Sequence, residues 1–97
     1  MDEIAKKGDI VEVDYTGKFT DGEVFDSSQG RDPLVFELGA GQMIPGFEEA
    51  VLGMGLGESK TAELPPEKAY GTSGPHPMAG KTLIFEITLV GINPPEF

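Results

Sequence analysis

Thr82-Leu83-Ile84-Phe85-Glu86-Ile87-Thr88-Leu89-Val90 is the stretch that decides the fold class of this 97-residue chain. Side chains alternate across an extended backbone, so Leu83, Phe85, Ile87 and Leu89 share one face, with Ile84, Glu86, Thr88 and Val90 on the other. The apolar face predicts a strand packed on a core. Working outward, Ile10–Phe19 reads I-V-E-V-D-Y-T-G-K-F, with Val11, Val13 and Tyr15 opposed to Glu12 and Asp14, which is a half-buried strand. Thr20-Asp21-Gly22 carries an Asp-Gly turn signal and leads into Glu23-Val24-Phe25-Asp26, so a hairpin is expected. After a polar loop over residues 27–33, Leu34, Phe36 and Leu38 alternate with Val35 and Glu37 until Gly39-Ala40-Gly41 breaks the pattern. Residues 58–64 read as a further strand, stopped by Pro65-Pro66.

Only one segment has helical periodicity. In Ile44-Pro45-Gly46-Phe47-Glu48-Glu49-Ala50-Val51-Leu52-Gly53, Phe47, Ala50 and Val51 stand at i, i+3 and i+4, and proline and glycine bracket the run. Several strands around one short helix predict an α+β domain, an antiparallel sheet wrapped over that helix, with a concave gap between them as the place for a ligand.

Composition narrows the function. The length suits a single domain over residues 1–97, and an apolar share of 38% with 25% charged residues is globular. Seventeen acidic against seven basic residues give a net charge of −10, which argues against nucleic acid and for a soluble protein. No apolar run approaches a membrane span, and the opening Met1-Asp2-Glu3-Ile4-Ala5-Lys6-Lys7 lacks a signal peptide's apolar segment, so a cytoplasmic monomer without membrane contact is expected. Cysteine is absent and His76 is the single histidine, which removes thiolate chemistry, cysteine-ligated zinc and histidine-rich metal centres. No metal site or cofactor is expected.

Candidate residues each admit two readings from spacing alone. Asp26, in Phe25-Asp26-Ser27-Ser28, caps a turn or places an acid at a strand end. Tyr70, in Ala69-Tyr70-Gly71, presents its hydroxyl to a ligand or buries its ring, and Tyr15 is ambiguous in the same way. His76, flanked by prolines, reads as a solvated loop histidine, and Glu48 and Glu49, on different sides of the helix, read as solubilising charge. Phe19, Phe25, Phe36, Phe47 and Phe85 alternate onto inward faces as core.

Taken in order, Asp14-Tyr15-Thr16-Gly17, Asp21-Gly22, Phe25-Asp26-Ser27-Ser28, Leu38-Gly39, Gln42-Met43-Ile44-Pro45-Gly46-Phe47-Glu48-Glu49, Ala69-Tyr70-Gly71 and Thr82-Leu83-Ile84-Phe85-Glu86 resemble the FKBP family of peptidyl-prolyl cis/trans isomerases. The resemblance runs over residues 7–92 and implies catalysed rotation of Xaa-Pro bonds in peptides and in unfolded or partly folded proteins. It also implies binding of tacrolimus or rapamycin. By position, Phe47 matches the aromatic floor, where many members carry tryptophan. Tyr15, Phe25 and Phe85 match its walls, Leu34, Met43 and Ile44 its apolar rim, and Met78 a contact from the flap. Asp26 matches the acid beside the proline ring, Ile44 the backbone N–H offered to a carbonyl, and Tyr70 the tyrosine whose hydroxyl contacts one. The alternative within the same resemblance is a holdase-like module that binds proline segments without turnover.

The flap at residues 72–81 is shorter than in the single-domain drug receptors. His76-Pro77-Met78-Ala79-Gly80-Lys81-Thr82-Leu83 resembles the SlyD-like branch, yet only Thr72-Ser73-Gly74-Pro75 stands where that branch inserts a chaperone domain. The chain is either a natural short member or one from which the insert was removed. The branch's histidine-rich tail is absent, so nickel binding is not implied. Without the insert, weak handling of whole unfolded proteins is expected.

Overall fold

The computed structural model describes residues 3–93; Met1 and Asp2 of the opening stretch and both ends of the expected domain over residues 1–97 lie outside them. The elements are strands β1 (Ile10–Phe19), β2 (Val24–Ser27) and β3 (Leu34–Glu37), helix α1 (Pro45–Val51), then strands β4 (Ser59–Leu64) and β5 (Leu83–Ile92). They form a five-stranded sheet in the order β2-β1-β5-β4, with β3 also paired to β1, every pairing antiparallel. The expected α+β architecture is the observed one.

The alternation that nominated β5 fixes its orientation. Leu83, Ile87 and Leu89 are fully buried and Phe85 nearly so, while Glu86 and Val90 are exposed. β1 lies antiparallel beside it, matching Val13 to Leu89 and Tyr15 to Ile87, so the inward faces coincide. Val11 and Val13 complete that layer, and Phe47, Ala50 and Val51 of α1 cover it with Leu38 and Met54.

β2 and β3 share one edge of β1. β3 pairs with residues 10–13 and β2 with residues 16–18, so the chain returns twice to the same strand. The hairpin between β1 and β2 has a three-residue loop closed by a Phe19 N–H to Glu23 O bond of 2.9 Å, with Gly22 at φ +92° supplying the left-handed turn residue. The helix is shorter than its sequence window, seven residues starting at Pro45, whose missing N–H costs nothing at that position. Gly46 is obligatory there, because an added Cβ would lie 2.5 Å from Leu64 Cγ and 2.9 Å from the Lys68 carbonyl oxygen.

Two readings from the sequence are corrected. The Glu48 carboxylate accepts the Gly39 N–H at 2.7 Å and ties the loop after β3 to the helix, and Glu49 accepts from Lys68 Nζ at 2.6 Å. Neither is free solubilising charge. The double proline after β4 does more than stop a strand: Pro66–Lys68 forms a 3-10 turn that delivers the chain to Tyr70. Among the described residues no helix is long and apolar enough to cross a membrane.

The two ends of the fold are latched by Asp9. Its carboxylate accepts from the Lys6 N–H at 3.1 Å and from Asn93 Nδ2 at 3.2 Å, bonds that hold its pKa below the ordinary 3.8. A lowered folded pKa means stability present above the unfolded value and lost as pH falls through the folded one. Acid titration followed by circular dichroism should therefore show Asp9→Asn less stable than wild type at neutral pH, with the gap closing below pH 3.8. A gap of constant size from neutral to acid pH would remove the latch from this account.

Candidate functional site

The inward faces of β1, β2 and β5 meet the start of α1 around an open cavity of about 230 Å³. Phe47 is its floor. The ring is 1% exposed, held edge-on by Phe85 at 5.1 Å and 89° and by Tyr15 at 5.9 Å and 89°. Phe25 meets Phe85 edge-on at 5.7 Å, so the wall rings are positioned by the floor and by each other. Such edge-to-face contacts match a positive ring edge to a negative ring face and fix ring orientation as well as burial.

The backbone leaves room for this at one residue. Gly17 of β1 lies under the Phe25 and Phe85 rings, and a Cβ there would stand 2.6 Å from Phe25 Cζ. Gly17→Ala must displace the Phe25 ring, which lines the cavity, and should cost about 1–3 kcal/mol of stability and reduce ligand affinity. Urea melts and ligand titration of the variant check both; an unchanged melt would show that the ring relaxes outward at no cost.

Asp26 is fully engaged. Its Oδ2 accepts from the Tyr15 hydroxyl at 2.9 Å, and its Oδ1 accepts from Arg31 Nη2 at 3.0 Å and from the Ser27 N–H at 2.8 Å. Burial, and then the bond to Asp26, raise the Tyr15 pKa above 10.0, so this phenol keeps its proton and donates it. Asp26 thus orders Tyr15 and Arg31 at the mouth of the cavity.

Two of the lining residues carry donors without partners among the described residues: the Tyr70 hydroxyl and the Ile44 N–H. Ile44 precedes α1, and its carbonyl already accepts from the Phe47 and Glu48 N–H groups. The structure therefore brings Tyr15, Phe25, Asp26 and Met43 to one cavity with Ile44, Phe47, Tyr70 and Phe85. Leu34 and Met78 are not in its lining. Leu34 follows the alternation of β3, opposite Val13, onto the core, and Met78 packs against the core from the flap, held by a bond from its own N–H to His76 Nδ1.

Gln42 lines the cavity and was not singled out by the sequence. Its Oε1 accepts the Glu37 N–H at 2.9 Å, and its position directly before Met43-Ile44 was the available signal.

A larger depression of about 700 Å³ lies over the outward face of the sheet, among Asp14, Thr16, Ser59, Thr61, Glu86 and Thr88. These are solvent-side strand positions. With no aromatic floor, it is an open polar trough. Among the described residues no cluster of acidic or imidazole side chains could hold a metal ion.

A five-stranded antiparallel sheet wrapped on one short helix, with an aromatic-lined cavity between them, is the architecture to be placed. The model of the FKBP-type peptidyl-prolyl cis-trans isomerase family matches residues 1–90. The chain belongs to that family. It is 49% identical over 92 residues to peptidyl-prolyl cis-trans isomerase FKBP15-1 of Arabidopsis thaliana, covering 92% of this chain and 60% of the relative. FK506-binding protein 2 of Yarrowia lipolytica is 48% identical over 96 residues, covering 92% of this chain and 64% of that protein. Peptidyl-prolyl cis-trans isomerase FKBP2 of Mus musculus is 44% identical over 91 residues, covering 91% and 65%. The chain thus spans less than two thirds of these relatives' length.

Proposed function

We propose that this domain accelerates cis/trans rotation of Xaa-Pro peptide bonds. The observation that carries the reading is the buried Phe47 floor under a cavity of about 230 Å³, below the roughly 300–1,000 Å³ of ordinary small-molecule sites and fit for one proline ring. Rotation breaks no covalent bond; it loses amide resonance against a barrier of roughly 18–20 kcal/mol. A planar amide is more charge-separated than a twisted one, so a dry apolar wall disfavours the ground state relative to the transition state. The Tyr70 hydroxyl and Ile44 N–H hold neighbouring carbonyls while the prolyl bond turns.

The test is exchange spectroscopy on a short Xaa-Pro peptide, with no coupled protease. Exchange should become much faster than the uncatalysed tens to hundreds of seconds. Saturable binding with unchanged exchange would instead support a holding module. Partners follow from the same cavity: proline-containing segments, and FK506, which several relatives are named for binding, as a ligand competing for it. The finer placement beside the SlyD-like branch rests on flap residues 76–83 alone, whereas the relatives compared above bear other names and match across the domain.

A further inference from the structure

The flap is built around its histidine. It closes at its base by a Gly80 N–H to Gly71 O bond of 2.7 Å, and inside it the Ala79 N–H donates to His76 O at 3.0 Å. The His76 imidazole stacks on the Tyr70 ring, centroids 4.1 Å apart and planes 12° from parallel. Its Nδ1 accepts the Met78 N–H at 3.0 Å. A ring nitrogen that accepts carries no proton, so this geometry belongs to the neutral imidazole protonated at Nε2. His76 is exposed and open to solvent protons.

We propose that His76 is a positioning residue for Tyr70 and makes substrate capture sensitive to pH. The inference rests on the reading of Tyr70 as a substrate contact. Adding a proton from solvent at Nδ1 turns the acceptor into a donor facing the Met78 N–H, so that bond is lost. Of the imidazole ring's two contacts the stack then remains, since an imidazolium is attracted to the phenol face. The turn over residues 76–78 loses one of the bonds that close it and keeps the Ala79 N–H to His76 O bond, so the ring on Tyr70, and with it the phenol, is held less firmly.

The surroundings leave the effect to this contact. Tyr70 is the titratable side chain stacked on the imidazole, and no carboxylate pairs with His76 among the described residues. Lys81, the flap's cation, lies over the Phe19 ring at 5.0 Å. Asp26, which lines the same cavity, is taken by Tyr15 and Arg31.

The experiment measures kcat and KM of prolyl exchange on an uncharged peptide from about pH 8 to about pH 5, the range in which histidines change charge. Wild type should lose about two- to tenfold in kcat/KM, the equivalent of one hydrogen bond, mostly through KM. His76→Phe keeps a stacking ring but neither titrates nor accepts. Its profile should be flat, near the wild-type acid limb, with the melting temperature unchanged. A merely structural histidine would lower activity at every pH and leave the inflection in place. A flat profile in active wild type, or an inflection that survives in His76→Phe, overturns the proposal and leaves the isomerase reading standing. Absence of turnover at every pH overturns the isomerase reading. The Met78 amide resonance then decides the histidine's role separately: it should move with the imidazole titration, and a resonance that does not move refutes it.

Discussion

Phe47→Ala should lower stability by about 3–5 kcal/mol, the range for losing a buried aromatic ring from a packed core, and eliminate prolyl turnover in whatever fraction stays folded. The ring is both core and cavity floor. It carries edge contacts to Tyr15, Phe36 and Phe85, so truncation releases the walls together. The void would join the cavity of about 230 Å³ above it, letting water reach the bottom of the site. Water there restores solvation to the planar amide and removes the differential on which rotation depends. Urea unfolding should show a lower midpoint at an unchanged slope. Turnover retained near the wild-type rate in the folded variant would refute the desolvation account, whatever happened to stability.

Asp26→Ala should reduce kcat/KM by about tenfold, the lower end of what a hydrogen bond to a charged group contributes, because the Asp26 side chain is 49% exposed and partly screened. The loss arises from Tyr15, whose hydroxyl keeps no partner, and from Arg31, which is released from the mouth of the site. If Asp26 acts through Tyr15, Tyr15→Phe should cost a similar factor and the double variant little more than either alone. Fully additive losses would mean that the two side chains act separately. The Tyr15 phenol provides a second readout. After burial, the bond to Asp26 and the Asp26 charge are the causes that raise its pKa, so its ionisation in alkaline solution should move down toward 10.0 in Asp26→Ala.

Sequence periodicity carried the fold wherever one face is buried and the other wet. β5 is the clearest instance, since its alternating residues separate into buried and exposed almost without exception. Pairing was not legible: that β2 and β3 share one edge of β1 depends on contacts between distant segments, and alternation says which face is apolar but names no neighbour. The Glu48 bond to the Gly39 N–H was hidden for the same reason, because an acid near a helix start looks alike whether solvated or tied to a loop. At the site, periodicity placed Phe47 in the core, where it is, and the resemblance placed it under a ligand. The structure shows one ring doing both, almost fully buried and still part of the cavity lining. Leu34 and Met78 were assigned by position in a motif, and positional matching is weakest where a strand face or a loop of different length redirects the side chain.

The single bond between the Gly71 carbonyl and the Gly80 N–H gives the flap a seam. Between those glycines the chain leaves the domain and returns beside its point of departure, touching the core through Met78 and Tyr70 through His76. Lengthening it costs only the slowly growing entropy of closing a larger ring, about 0.6 kcal/mol for each doubling. The fold thus carries a socket beside its working surface, where material can be exchanged while the aromatic floor stays as it is. Whatever occupies that socket stands next to Tyr70, and so next to any chain being turned.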